Sequence, residues 1–199
     1  MSKNVAFIIS RVLGPLPLLC LLWLVTAIKS GIGFWKALWV YPLIFLLSLG
    51  IPVLITSYLI SQKIVKGLDW PNLAERKKYL PPLAIFSIIS LNILTFGLTN
   101  VTIFHLGILL SAITATMIFS WAFLNLKVSG HMVIAFVTFS GINLFFHLQY
   151  LWIYLLIIPI YWARITLGVH TPKQLLAGIF IPAVYILAGV LLFGWPNVP

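Results

Sequence analysis

The fold class is decided by residues 174–194, which read QLLAGIFIPAVYILAGVLLFG and contain no charged side chain. A helix needs about 20 consecutive, mostly apolar residues to cross the hydrocarbon core of a bilayer. Further apolar runs lie earlier in the chain, at residues 5–28, 37–60, 81–99, 102–124, 131–147 and 149–165. The sequence therefore predicts an all-α fold, a polytopic membrane helical bundle of six or seven transmembrane helices.

The predicted number of transmembrane helices is six or seven because three of the apolar runs are irregular. The first run contains Arg11 and two prolines, Pro15 and Pro17, so we expect its start to be broken or to lie at the membrane interface. The fifth and sixth runs are short and are separated by little more than Leu148. We expect one of these two to be tilted or half-buried.

The composition excludes a soluble globular domain. Of the 199 residues, 62% are hydrophobic and 7% are charged, whereas charged residues make up about 25% of a typical soluble domain. So few charges can cover a chain of this length only if most of its surface faces lipid. The length fits a single membrane domain, residues 1–199, and the lone cysteine, Cys20, excludes an internal disulfide.

The charge balance is strongly basic, with twelve Lys and Arg residues against two acids, Asp69 and Glu75. Such an excess is typical of proteins that bind nucleic acid, anionic lipid or a phosphorylated substrate. Here the basic residues lie in short gaps between apolar runs, not on one soluble arm or face. Nucleic acid is therefore not expected as a partner, and membrane lipid and a phosphorylated substrate remain.

Three polar gaps, residues 61–80, 126–131 and 163–174, interrupt the apolar runs. Two runs separate the first gap from the second, and two more separate the second from the third. An even number of crossings returns a chain to the same side of the membrane. We therefore predict that all three gaps meet at one face of the bundle.

The side chains in these gaps suit phosphate chemistry. They are cations, two imidazoles and a helix start at a glycine, contributed by Arg76, Lys77, Lys78, Ser129, Gly130, His131, Arg164 and His170. Cations and helix N-termini bind phosphate, and imidazole acts as a nucleophile or a proton carrier near neutral pH. No metal or other cofactor is expected, because hard cations need several oxygen ligands and two acids in one gap cannot supply them.

Two of these gaps carry motifs with defined spacing. Ala163-Arg164 is followed after five residues by His170 and after three more by Gln174, and the second gap reads Ser129-Gly130-His131. These motifs resemble the third and second motifs of the type 2 phosphatidic acid phosphatase superfamily of membrane lipid phosphatases. The first motif of that family is looser, and the stretch from Asp69 to Lys78 resembles it. The resemblance covers roughly residues 60–194 and implies a phosphatase-like core with three motif segments.

The resemblance implies roles for the two gap histidines. His170 is the implied nucleophile, which forms a phosphohistidine intermediate. His131 is the implied acid, which protonates the leaving lipid alkoxide. By contrast, His105 and His147 lie away from the gap face by the count of apolar runs, and we expect them to be packed or interfacial residues.

The resemblance also implies a phosphate-binding set. Arg164 and Arg76 are the implied clamp on the phosphoryl oxygens, where charge develops in the transition state. Lys78, or its neighbour Lys77, is the implied further cation. Backbone amides around Ser129 and Gly130, together with the Ser129 hydroxyl, are implied to donate to the same phosphate.

The chain departs from the family pattern at Gln174, where the third motif normally closes on Asp. An amide can accept a hydrogen bond from the His170 ring and fix its tautomer, but it offers no negative charge to an imidazolium. Some family members resembling dolichyl diphosphatase also have Gln at this point. The amide is therefore compatible with activity, and it is also what a lipid-binding relative without activity would show.

Two functions remain. The first is a phosphoric monoester or diphosphate hydrolase: a metal-independent membrane phosphatase acting on a lipid phosphate or polyprenyl diphosphate. The alternative is a catalytically weak or inactive family member that binds an anionic lipid. Resemblance to bacterial members implies the bacterial inner or plasma membrane, and the positive-inside rule favours a cytoplasmic site, although many relatives work on the outer face.

Overall fold

The structure is a computed structural model that describes residues 2–66, 73–98 and 100–194. Every regular element in these ranges is helical. The α-helices are α1 (Ser2–Val12), α2 (Pro15–Ser30), α3 (Phe34–Phe45), α4 (Ile51–Ser61), α5 (Leu73–Gly97), α6 (Val101–Ala122), α7 (Gly130–Phe145), α8 (Ile157–Thr166) and α9 (Pro172–Phe193). A π-helical turn, Leu46–Gly50, joins α3 to α4, and a 3-10 helix, Leu151–Leu156, precedes α8.

The predicted all-α fold class is confirmed. Within the described residues, four stretches are long and apolar enough to cross a membrane: Ser2–Ser30, Lys77–Thr95, Thr102–Trp121 and Pro172–Phe193. The other apolar runs fold as shorter helices, α3 and α4 with the π turn between them, α7, and α8 with its 3-10 helix. The count of six or seven crossings therefore stays a prediction.

Two predicted boundaries were wrong. Residues 73–80 of the polar gap at 61–80 are helical, because α5 begins at Leu73, eight residues before the predicted run. The run at 37–60 is not one regular helix, since the π turn at Leu46–Gly50 interrupts it. Prolines explain part of this irregularity: Pro42 and Pro52 flank the π turn, and proline lacks the N–H that a regular α-helix needs.

The first predicted span is broken where the prolines suggested. Leu13 and Gly14 separate α1 from α2, and Pro15 occupies the first turn of α2, where its missing N–H costs nothing. A Cβ on Gly14 would lie 2.8 Å from the carbonyl oxygen of Ser10, so the break requires glycine. The break therefore places the last carbonyl groups of α1 next to the start of α2.

The core surrounds α7, which is buried along its length from Met132 to Phe145. Helices α2, α6, α8 and α9 pack around it. Large apolar side chains on the outer helices are exposed instead, among them Trp35, Trp39 and Leu191, each at least 76% exposed. An apolar outer surface of this extent suits contact with lipid.

Contacts between distant segments define two ends of the bundle. At one end, Asn100 donates to the carbonyl of Ser30 over 2.9 Å, and the His105 ring lies 3.1 Å from the carbonyl of Gly194. At the other, which we call the polar end, the α1–α2 break meets the start of α7, the end of α8 and the start of α9. The second and third polar gaps therefore meet, which is part of the prediction that all three gaps share one face.

Candidate functional site

The third motif is positioned by a short turn between α8 and α9. Arg164 lies in the last turn of α8, and Gly168 reverses the chain with a left-handed φ of 69°. Thr171 then caps α9, and its hydroxyl accepts from the Gln174 amide N–H over 3.4 Å. This turn places His170 directly before the N-terminus of a 22-residue helix.

Gln174 holds the His170 ring in a defined tautomer. Its side-chain oxygen, Oε1, accepts from the Thr171 backbone N–H over 3.1 Å, which fixes the orientation of the amide. The same oxygen lies 3.2 Å from His170 Nδ1. Because an amide oxygen only accepts, Nδ1 carries the proton and Nε2 keeps its lone pair. The predicted contact between Gln174 and the ring is present.

A second group of contacts centres on Ser10 at the end of α1. Arg164 Nη1 donates to the Ser10 hydroxyl over 2.8 Å. His131 Nε2 lies 3.2 Å from the same hydroxyl and 3.2 Å from the Ser10 carbonyl oxygen. Ser10 is buried, at 6% exposure. One hydroxyl thus touches both the predicted clamp and the predicted acid.

Ser129, a predicted phosphate donor, is buried, and its backbone is bound to the start of α9. The Ser129 backbone N–H donates to the Gln174 carbonyl over 3.3 Å, which joins the second motif to the third. The side chain is fully buried, and its hydroxyl has no hydrogen-bond partner within the described part of the chain. Gly130 begins α7, whose first N–H groups have no acceptor inside the helix.

The electrostatics of the site are cationic. Burial lowers the pKa of His170, the hydrogen bond with Gln174 raises it, and the charges of Arg164 and Lys127 lower it again, for a net decrease. The net shift favours the neutral form of the ring. The charges of Arg164 and Arg11 also act on His131. Among described residues, no three His, Cys, Asp or Glu side chains group as a metal site.

A cavity of about 620 Å³ opens beside Ser10, His131 and Arg164. His170 does not itself line this cavity, but the preceding residue, Val169, does. Polar side chains on its wall are Ser10, Arg11, His131 and Arg164, and apolar side chains complete it. The Nε atom of Arg164 is buried and has no hydrogen-bond partner in the described part of the chain. A guanidinium with an unused buried donor beside a cavity is suited to an anionic ligand.

Among the contacts that the structure describes, none joins the first motif to Ser10, His131, Arg164 or His170. Asp69 lies outside the described residues, and so does the side chain of Arg76. Lys78 is exposed, and its ammonium lies 5.1 Å from the centre of the Tyr79 ring. Since Asn92 pairs with Ser111 over 2.8 Å in the antiparallel α5–α6 hairpin, the start of α5 lies at the polar end.

Ser10 and Arg11 contribute to the candidate site and were not predicted from the sequence motifs. No motif includes them, and α1 precedes the region of family resemblance. One signal was available: an ionisable residue inside an apolar run is costly in a membrane and usually marks a functional position. Arg11 satisfied that criterion. Nothing in the sequence singled out Ser10.

His105 and His147, the two histidines outside the polar gaps, lie away from the site, as predicted. His105 is buried, and its ring meets the Gly194 carbonyl at the opposite end. His147 is exposed just after α7, with a left-handed φ of 50°.

Comparison with protein-family models, with curated proteins and with solved structures finds no match. The case for function therefore rests on the residues and their geometry.

Proposed function

We propose that this chain is a metal-independent membrane phosphatase, which hydrolyses a lipid phosphate or polyprenyl diphosphate through a phosphohistidine intermediate. The observation that carries the proposal is the arrangement of His170. Its Nδ1 proton is held by Gln174, its Nε2 lone pair is free for attack, and the positive charge of Arg164 acts on it. A nucleophile, its orienting group and an anion-binding cation are the parts that such a reaction needs.

In the proposed first step, His170 Nε2 attacks phosphorus and the bond between phosphorus and the leaving oxygen breaks. The electron pair of that bond goes to the leaving group, and His131, which enters this step as the imidazolium, supplies its proton. Arg164 stabilises the charge that spreads over the phosphoryl oxygens. Arg76 and Lys78 are proposed as additional cations, and the first amides of α7 at Gly130 as donors.

In the second step, water attacks the phosphohistidine, the nitrogen–phosphorus bond breaks and inorganic phosphate leaves. His131, now deprotonated, accepts the proton of that water. The contact of His131 Nε2 with Ser10 must open for either transfer. A bound phosphate is negatively charged and the Ser10 hydroxyl is neutral. The substrate can therefore replace Ser10 as the partner of His131 and Arg164.

The topology that fits this proposal has seven crossings. Two of the crossings are then composite, α3 with α4 and α8 with its 3-10 helix, and α7 crosses as a single short helix. The site lies at one membrane surface, where a lipid headgroup is present and water can reach the intermediate. We place the protein in the bacterial inner or plasma membrane on the family resemblance.

The test is vanadate-sensitive phosphate release by purified protein in detergent, with excess EDTA present. We expect activity in EDTA, and its loss in His170→Asn together with loss of radioactive phosphate incorporated into the protein. His147→Asn is the matched control, because it removes an exposed histidine far from the site and asparagine tolerates a left-handed φ. Activity that requires added magnesium would refute the mechanism, as would full activity of His170→Asn.

The alternative function, binding of an anionic lipid without turnover, uses the same cations. Gln174 is compatible with it, since a glutamine at this position also completes the capping box of α9. The two functions separate in one experiment. A protein that binds a lipid phosphate saturably, with affinity lost in Arg164→Gln, but releases no phosphate would establish the alternative.

A further inference from the structure

The cavity has a cation that the proposed phosphatase reaction does not use. Arg11 lies in the last turn of α1 and lines the cavity with Arg164 and His131. It follows Ser10 directly, and successive side chains on an α-helix point about 100° apart. Ser10 faces Arg164 and His131, so Arg11 is directed to a neighbouring part of the cavity.

Arg11 is held at the cavity rim by an aromatic contact. Its guanidinium carbon lies 5.1 Å from the centre of the Phe7 ring, and Phe7 also lines the cavity. Contact with an aromatic face orients a guanidinium while leaving its N–H donors available. The cavity wall next to Arg11 is formed by the break and the N-terminus of α2, at Gly14, Pro15 and Leu16.

No acidic side chain lines this cavity in the part of the chain that the structure describes. The sequence has two acids in all, Asp69 and Glu75. A cation within an apolar helix run is costly to keep in a membrane without a partner. Arg164 adds a second cation with an unused buried donor. The cavity therefore matches a ligand with more than one anionic group.

We propose that Arg11 binds the second phosphate of a lipid diphosphate, the phosphate that stays on the lipid while His170 and Arg164 engage the terminal phosphoryl group. This inference rests on the proposed function, and it selects the diphosphate from the two substrate classes. His170 Nε2 attacks the terminal phosphorus, and the bond to the bridging oxygen breaks. The leaving group is the lipid monophosphate, whose charge Arg11 stabilises as the bridging oxygen takes the electron pair.

The inference is tested with two lipids that share one tail, geranylgeranyl diphosphate and geranylgeranyl monophosphate. Binding of each radiolabelled lipid is measured in detergent on a His170→Asn background, where neither is consumed. We expect Arg11→Gln to weaken binding of the diphosphate about tenfold, the effect of one charge-assisted contact. Binding of the monophosphate should change less than twofold, and kcat/KM of the active protein should follow the same pattern.

Two variants control this experiment. Lys3→Gln removes an exposed cation from the same helix, outside the cavity lining, and should leave both lipids unaffected. Arg11→Lys keeps the charge and should retain most of the preference for the diphosphate, which guards against misfolding of Arg11→Gln.

Equal losses on both lipids would overturn the inference, as would no loss on either or no binding of the diphosphate by the parent. If the parent binds both lipids but hydrolyses neither, the phosphatase proposal fails, while the binding comparison still decides the role of Arg11.

Discussion

At the scale of single residues, Gln174 does two things with one oxygen. It accepts from the Thr171 backbone, which completes the cap of α9, and from His170 Nδ1. The cap fixes the amide, and the amide fixes the ring. A glutamine therefore suits this position for a local structural reason, besides any catalytic one.

Substitution of Gln174 should reveal this dual role. Leucine removes the acceptor, so the His170 ring loses its tautomer and orientation, and we expect turnover to fall by about 10²-fold, as for a misplaced reacting group. Loss of the cap should also lower the unfolding temperature. Turnover of purified Gln174→Leu, measured with its thermal unfolding, is the check, and unchanged turnover would remove Gln174 from the site.

Glutamate in place of Gln174 keeps the length and adds a charge, which predicts a shift in the pH profile. The pKa of His170 is lowered in the parent protein, so its neutral nucleophilic form persists below the ordinary range of histidine. A carboxylate stabilises the imidazolium and raises that pKa. The acidic limb of kcat/KM should therefore move to higher pH in Gln174→Glu. A shift to lower pH would contradict the assignment of His170 as nucleophile.

The sequence predicted some of these residues better than others. His170 and Gln174 were predictable because their contact is local: four positions apart, across a helix cap, they must lie close together. The pairing of Arg164 and His131 with Ser10 joins residues more than 120 positions apart. No local pattern marks a serine for such a role, and only packing of α1 against α8 creates it.

At the scale of elements, the site depends on the close approach of α7 and α9. Gly178 allows it: a Cβ at this position would lie 3.0 Å from the Met132 Cβ and 3.2 Å from the Ser129 carbonyl oxygen. Neither atom is the end of a flexible side chain. This approach lets the Ser129 amide reach the Gln174 carbonyl, so it sets the spacing of the second and third motifs.

Gly178→Ala should therefore separate the two helices at the site. We expect a loss of about 1–3 kcal/mol in stability, typical of an overpacked contact, and a fall in turnover because Ser129 and Gln174 move apart. Gly97→Ala is the matched control, since a Cβ there meets nothing within 4 Å. Thermal unfolding in detergent and phosphate release together make the test. Equal behaviour of the two variants would show that the contact is not critical.

Across the bundle, the parity of the apolar runs predicted correctly that the second and third polar gaps meet. It requires only that each run cross the bundle once, so it survived the π turn, the 3-10 helix and the break in α1–α2. The structure brings the second and third gaps together through Ser129 and Gln174. Parity could not predict which side chains would meet, because that depends on helix rotation and packing.

The membrane topology itself yields the last prediction, which uses single cysteines in a Cys20→Ser background. Lys127 and Lys173 are exposed at the polar end, while Lys36 and Gln149 are exposed at the other. If α7 and the segment containing α8 both cross the membrane, a cysteine at Gln149 lies on the same side as one at Lys36. Both should then react with an impermeant reagent from the side opposite to Lys127→Cys and Lys173→Cys.

The distribution of lysines predicts which side of the membrane the polar end faces. Setting aside the two arginines of the motifs, the polar end carries most lysines, whereas the other end has Lys29 and Lys36. The positive-inside rule then places the polar end in the cytoplasm, so in intact cells only Gln149→Cys and Lys36→Cys should be labelled. Labelling of Lys127→Cys and Lys173→Cys instead would reverse the orientation but keep seven crossings. A Gln149 cysteine that is protected from both sides would mean that α7 and α8 re-enter the membrane without crossing it. The site would then lie at the base of a re-entrant pair, and the crossing number would fall to five.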